Sequence, residues 1–222
     1  GVSTSLGVRY EHRDQFLQDG SDEIPPGEED AYQPRGILVV SPSASYDTRD
    51  SFVRPTRGTY SSYIVDVSRG YQSSLDNFLR HTVNVRLYHT PLPRLTVAWL
   101  GRYVYIDPYG SVSRIPEDQL AFLGGTMSVR GFDENMLRHD TNDNPVGGRL
   151  AFNTSLEARF ELTPDWETSL FIDAGAVRKP IIVENAASDG LRYSAGAAFR
   201  YLTPIGPIGV MYGHKLDRKL LT

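Results

Sequence analysis

Along most of the chain, apolar and polar side chains alternate with a period of two. In Ser5–Glu11, Leu6, Val8 and Tyr10 share one face while Ser5, Arg9 and Glu11 take the other. That predicts a strand with one apolar and one charged face. A second strand is expected over Gly36–Tyr46. A third runs over Tyr60–Val67, with Tyr63, Val65 and Val67 opposite Asp66. In the fourth, Val83, Val85 and Leu87 face outward, opposite Asn84, Arg86 and Tyr88. The fifth, Leu95–Ile106, sets Val97, Trp99, Tyr103 and Tyr105 against Arg102. The alternation is clearest in Leu150–Leu162. There Leu150, Phe152, Leu156, Phe160 and Leu162 oppose Asn153, Ser155, Glu157, Arg159 and Glu161. Thr168–Val177 and Leu191–Leu202 repeat it, and Ile208–Tyr212 gives a ninth strand that fades into a charged end at Lys215–Lys219.

The connections alternate in length. Short ones fall at 48–57, 91–93, 163–165 and 203–207, marked by proline and glycine, which fix sharp reversals. Longer ones fall at 14–34, 70–77, 107–148 and 178–190. A transmembrane barrel has short turns on one rim and long loops on the other. A soluble β-sandwich shares the strand period but has no reason to sort its loops. The sequence therefore favours an all-β, antiparallel transmembrane barrel, present in part. Nine strands leave two open edges, which lipid does not tolerate, so further strands from missing sequence or another chain are expected to close it.

The longest connection, about 108–147, is too apolar for a solvated tail: Leu120, Phe122, Leu123, Met127, Val129 and Phe132 all call for burial. At its centre lies Gly124-Gly125-Thr126-Met127-Ser128-Val129-Arg130-Gly131-Phe132, one cation at an apolar tip. Gly124, Gly125 and Gly131 allow backbone conformations closed to other residues.

Composition narrows the chemistry. There is no cysteine, so disulfides, thiol catalysis and thiolate metal sites are excluded. A net charge of −4 gives no reason to expect nucleic acid. No run of eighteen apolar residues suggests a spanning helix. The opening Gly1-Val2-Ser3-Thr4 already reads as strand, so an earlier start is expected. The five histidines lack ligand spacing and no Gly-x-Ser-x-Gly elbow appears, so no catalytic residue, metal or cofactor is assigned. Asp19, Asp22, Glu23, Glu28, Glu29 and Asp30 around Pro25-Pro26 lack the spacing of a known calcium site and read as a solvated loop.

An ordered series of motifs resembles the C-terminal barrel of the BamA family of outer-membrane assembly factors. It comprises Leu123-Gly124-Gly125, Ser128-Val129-Arg130-Gly131-Phe132, Ser155-Leu156-Glu157, Phe171-Ile172-Asp173-Ala174-Gly175, Leu191-Arg192-Tyr193-Ser194-Ala195-Gly196 and Thr203-Pro204-Ile205-Gly206-Pro207. Asp47-Thr48-Arg49-Asp50 with Pro55-Thr56-Arg57-Gly58 is similar to a family turn. The resemblance implies a sixteen-stranded barrel of which residues 1–222 form part of one domain. About six strands, the periplasmic POTRA domains and one last strand would lie outside it. Loop 108–147 would fold into the lumen and bring Arg130 to wall carboxylates. The strand alternation independently puts Glu157 and Asp173 on the lumen face of consecutive strands. The bland reading is a solvated Arg130, with those carboxylates paired to Arg159 or Arg192.

In function the resemblance implies a factor of the Gram-negative outer membrane that folds and inserts β-barrel proteins. It implies no cofactor, and as partners outer-membrane lipid, unfolded client barrels and accessory assembly lipoproteins. The alternatives are a protein-secreting pore of the two-partner type and the barrel anchor of a fused hydrolase.

Overall fold

The computed structural model describes residues 1–14, 34–71, 76–110, 115–178 and 190–216. The acidic residues between Asp19 and Asp30, and the charged end from Asp217 to Lys219, lie outside the described residues. Nine antiparallel strands form one sheet in sequence order. They are β1 (Val2–Arg13), β2 (Arg35–Asp47), β3 (Gly58–Gly70), β4 (Phe78–Leu92), β5 (Leu95–Pro108), β6 (Leu150–Thr163), β7 (Trp166–Arg178), β8 (Arg192–Thr203) and β9 (Gly206–Lys215). The sheet stays open between β1 and β9, as the odd strand count requires.

Most strands outrun their apolar alternation, because the ladder continues where both faces are polar or small. On β1 and β2 the paired hydroxyls Ser3–Ser45 and Ser5–Ser43 lie 2.8 and 2.7 Å apart. Serines there extend the strands without an apolar signal. β9 likewise runs to Lys215, past the expected end at Tyr212.

Cross-strand register divides the side chains into two faces. On one stand Leu6, Val8, Tyr63, Leu87, Trp99, Leu156, Leu170, Ile172, Tyr193, Phe199, Val210 and Tyr212, all exposed. On the other lie Ser62, Thr82, Asn153, Ser155, Glu157, Ser169, Asp173 and Ser194, all buried. Exposed apolar and buried polar side chains invert a water-soluble sheet. A transmembrane barrel, apolar toward lipid and polar toward its lumen, requires that arrangement.

The β5–β6 connection fills the polar side. Its Ile115, Leu123, Val129, Phe132 and Leu137 join wall residues Phe78, Val104, Ile106, Ala151 and Val177 in one apolar cluster. Each such side chain contributes about 1.5–3 kcal/mol on burial, so apolar contact holds the connection and its polar contacts set its register. Met127 departs from the expected burial and is 91% exposed. It sits on the outer side of the turn closed by Ser128 N–H donating to the Gly125 carbonyl, 3.2 Å, while Val129 takes the wall side.

One connection touches both ends of the sheet. Arg13 of β1 donates to Asp118 at 2.8 Å, and Gly131 meets the backbone of Gly213 on β9. A flat sheet of nine strands would be roughly 38 Å wide. The sheet is therefore curved, and the connection packs against its inner, polar face.

Candidate functional site

The tip of the lumen connection is a small self-bonded unit. Gly124 N–H donates to Ser128 Oγ, whose hydroxyl donates back to the Gly124 carbonyl, both at 2.8 Å. Gly125 N–H donates to the Phe132 carbonyl at 3.0 Å, and Asn153 of β6 holds the Ser128 carbonyl at 3.3 Å. Gly131 carries a φ of +92° and lies so near β9 that an added Cβ would stand 2.9 Å from the Gly213 carbonyl carbon. Val129 is seated over Gly175 of β7, where an added Cβ would come within 2.8 Å of its Cγ2. Small residues on the wall thus form the seat, and Val129 and Phe132 fill it.

Between those two apolar anchors, Arg130 meets the wall. Its Nε and main-chain N–H donate to Asp173 Oδ2 at 2.8 and 3.0 Å, and Nη2 donates to Asp173 Oδ1 at 2.8 Å. Nη1 donates to Glu157 Oε2 at 2.6 Å, and Nη2 also reaches Ser155 Oγ at 2.8 Å. The guanidinium carbon lies 3.5 Å from the Phe171 ring centroid. A planar fork can serve two carboxylates and a ring at once; the point charge of lysine cannot. Asp173 is fully buried, and pairing is what makes a buried carboxylate tolerable.

Strand periodicity delivers these partners. Ser155 and Glu157 on β6 and Phe171 and Asp173 on β7 are alternate residues, and register sets Ser155 opposite Asp173 and Glu157 opposite Phe171. The structure thus brings Arg130, Glu157 and Asp173 together. Arg159 and Arg192, the alternative partners, go elsewhere: Arg159 to the Pro55 carbonyl and Arg192 to the Leu137 carbonyl, the latter at 2.7 Å.

Several participants escaped sequence reasoning. Arg200 of β8 donates to Glu157 Oε1 at 2.7 Å, reaching across β7. At the other end of the connection, Asp118 Oδ2 accepts from Arg35 at 2.9 Å and Arg13 at 2.8 Å. Arg35 also grips Asp76 with Nη1, at 2.9 and 3.0 Å from its two oxygens. Arg13 and Arg35 are directly opposed across β1 and β2, and like charges so placed repel; Asp118 is the carboxylate they share, beside Glu11 on Arg13 and Asp76 on Arg35. That signal becomes readable only once the register is known. Among the described residues no group of three or more His, Asp or Glu could hold a metal.

The family described as the Omp85 superfamily domain matches residues 2–219. The chain belongs to that superfamily. It is 28% identical over 176 residues to the outer membrane protein assembly factor BamA of Nitratidesulfovibrio vulgaris, covering 77% of this chain and 22% of that protein. To BamA of Neisseria meningitidis serogroup B it is 28% identical over 203 residues, covering 77% and 25%. The resemblance to BamA proteins carried by the motif series is thereby borne out. In fold, the chain is similar to the crystal structure of BamA from Haemophilus ducreyi lacking POTRA domains 1–3. That match has a TM-score of 0.73 and 20% identity, and covers 99% of this chain and 48% of that one. CdiB from Acinetobacter baumannii matches with a TM-score of 0.66 and 14% identity, over 97% and 35%. Both speak to fold alone. The chain spans about a quarter of the length of the curated relatives it matches. It is an Omp85 barrel region of the bacterial outer membrane, and among the described residues no helix is long and apolar enough to cross a membrane.

Proposed function

We propose that this Omp85 region belongs to an assembly factor that folds β-barrel proteins and inserts them into the outer membrane, with Arg130, Glu157 and Asp173 as the lock that holds its lumen loop. The observation that carries the reading is the docking of a long apolar connection onto the polar face of an outer-membrane sheet. A passive channel keeps its lumen open to water. Here the lumen wall from β4 to β9 is occupied, so the work is done at the strand edges and the surrounding lipid. There an exposed edge offers unpaired N–H and C=O groups to an incoming client strand. The sequence relatives named as assembly factors support this branch over a secretion pore. Accessory lipoproteins would act on parts of the protein beyond this barrel region, and no cofactor is needed.

The test is reconstitution of the protein in liposomes of outer-membrane phospholipid. An unfolded client barrel and, separately, an unfolded secretion passenger are then presented from the turn side. The proposal expects the client to acquire the heat-modifiable mobility of a folded barrel, faster than in protein-free liposomes, and the passenger to stay outside. Passenger translocation without accelerated client folding would overturn it in favour of a secretion pore.

A further inference from the structure

Arg130 sits at one end of a continuous chain of opposite charges that leaves the loop and runs to the short-turn rim. Glu157 accepts from Arg130 through Oε2 and from Arg200 through Oε1, at 2.6 and 2.7 Å. The same Arg200 Nη1 reaches Glu167 Oε1 at 3.3 Å and Ser169 Oγ at 3.2 Å. Glu167 Oε2 then accepts from Arg54, Nη2 at 3.1 Å and Nε at 3.3 Å, and Arg54 Nη2 also lies 3.3 Å from Glu161 Oε2. Arg54 belongs to neither the loop nor the β6–β8 wall. It is part of the 48–57 connection between β2 and β3.

That connection is itself a strap laid across the rim. The Pro55 carbonyl accepts from Arg159 of β6, and the Thr56 carbonyl accepts from Thr90 Oγ1 of β4 at 2.9 Å. Val53 Cγ1 lies 3.8 Å from where a side chain at Gly206 would begin. A turn joining β2 to β3 thus reaches β4, β6, β7 and the start of β9.

Register explains why the strap needs its arginine. Glu161 and Glu167 are directly opposed across β6 and β7 on the lumen face, a like-charge pair that destabilises the ladder unless a cation lies between them. Arg54 is that cation. Without it, Arg200 is the one cation among the described residues that still donates a hydrogen bond to Glu167. Arg200 serves both Glu167 and Glu157 through the same Nη1, so it shifts toward Glu167. Glu157, nearly buried, then loses a partner next to Arg130, and a buried carboxylate with a partner removed is costly to keep in place.

We infer that Arg54, Glu167 and Arg200 are positioning residues for the Arg130 lock, so that the β2–β3 strap on the turn-side rim and the lumen loop are tightened and loosened together. The inference rests on the loop lock proposed above for its use in assembly, but not for its detection. A strap on the turn-side rim lies where an incoming polypeptide first meets the barrel, and displacing it would be felt at the loop tip.

The test uses Val129→Cys as a reporter, read against the same protein without it; residues 1–222 otherwise hold no cysteine. Val129 is fully buried while the loop is docked, so maleimide labelling in isolated outer membranes, without client, reads release of the loop. Arg54→Ala is expected to raise the labelling rate severalfold. Adding Glu161→Gln to Arg54→Ala should bring it most of the way back, because the opposed charge is gone although the strap's side chain is still missing. Arg54→Lys, which keeps the charge and loses the fork, should fall between wild type and Arg54→Ala. A mere packing defect in the turn would not respond to Glu161→Gln. Labelling unchanged by Arg54→Ala, or raised by it and unmoved by Glu161→Gln, overturns the inference. Intact labelling behaviour in a protein that fails to fold clients would count against the proposed function instead.

Discussion

Arg130 gives Asp173 three hydrogen bonds, one of them from its own main-chain amide. The carboxylate therefore fixes the backbone of the loop tip as well as the guanidinium. Asp173→Ala removes all three and leaves Arg130 with Glu157 and Ser155. Breaking one side of such a buried pair costs about 3–5 kcal/mol. The expected result is a marked gain in protease cleavage of the loop in folded protein. Arg130→Lys should give a smaller gain, since an ammonium keeps the charge without the fork.

The contact between Gly131 and Gly213 is backbone against backbone. Gly213→Val puts a branched side chain into the loop, so it should lift the tip from β9 and raise cleavage there. The sheet itself should form, as β-branched residues suit strands. Gly131→Val adds the cost of a positive φ, a further ~1–2 kcal/mol, and should be the more damaging. Heat-modifiable mobility of both variants checks that the barrel has formed.

On the lipid face, depth decides the cost of a charge. Val85, paired with Ser61 and Gly101, and Leu156, paired with Trp99 and Ile172, lie near the middle of β4 and β6. Val85→Arg or Leu156→Arg should lower unfolding free energy in lipid by about 2–4 kcal/mol. Phe160 lies closer to the β6–β7 turn, paired with Leu95 and Thr168. Phe160→Arg should cost roughly 0–1 kcal/mol near an interface. Urea titration of the reconstituted protein measures all three; equal costs would contradict the membrane orientation.

Much of this architecture was legible in the alternation. Leu156 against Glu157 and Ile172 against Asp173 declare which face meets lipid, because every second residue must. The sorted turn lengths separated a membrane barrel from a sandwich. What could not be read is whatever depends on register between distant strands. Nothing local marks Arg200 as the second partner of Glu157, which follows from pairing across β6, β7 and β8, or Arg54 as the cation between Glu161 and Glu167, which follows from the β2–β3 turn reaching over to β6 and β7. The exposure of Met127 follows from which side of a tight turn faces the wall, and hydrophobicity alone does not encode that. β2 was readable almost to its ends, Gly36–Tyr46 against Arg35–Asp47, whereas β9 runs on to Lys215, past Tyr212, because a ladder continues where no apolar alternation marks it.

The strap carries its own acid sensitivity. In the 48–57 turn, Asp50 accepts from the Thr56 amide at 2.8 Å, the Thr56 hydroxyl at 2.5 Å and the Arg57 amide at 3.2 Å. Slight burial pushes its carboxyl up, but the Thr56 hydroxyl and then the Thr56 and Arg57 amides outweigh this and hold it at about 2. A carboxyl lowered on folding stabilises above its unfolded value near 3.8 and loses that contribution as pH falls through the folded value. Between about pH 4 and pH 2 the wild type should therefore lose thermal stability that Asp50→Asn does not. Parallel melting curves across that window, with no narrowing of the gap, would show that the turn is not held this way.

If the ionic lock of the lumen loop serves barrel assembly, a charge exchange in cells will read it. Arg130→Glu sets three acidic groups against one another and should lower the steady-state level of folded client barrels in the outer membrane. Asp173→Arg on that background restores one opposite pair in the same place and should recover part of that level, while Asp173→Arg alone should be as deficient as Arg130→Glu. Folded clients at wild-type level in Arg130→Glu, or no recovery in the double variant when its own barrel is present and folded, would contradict the account.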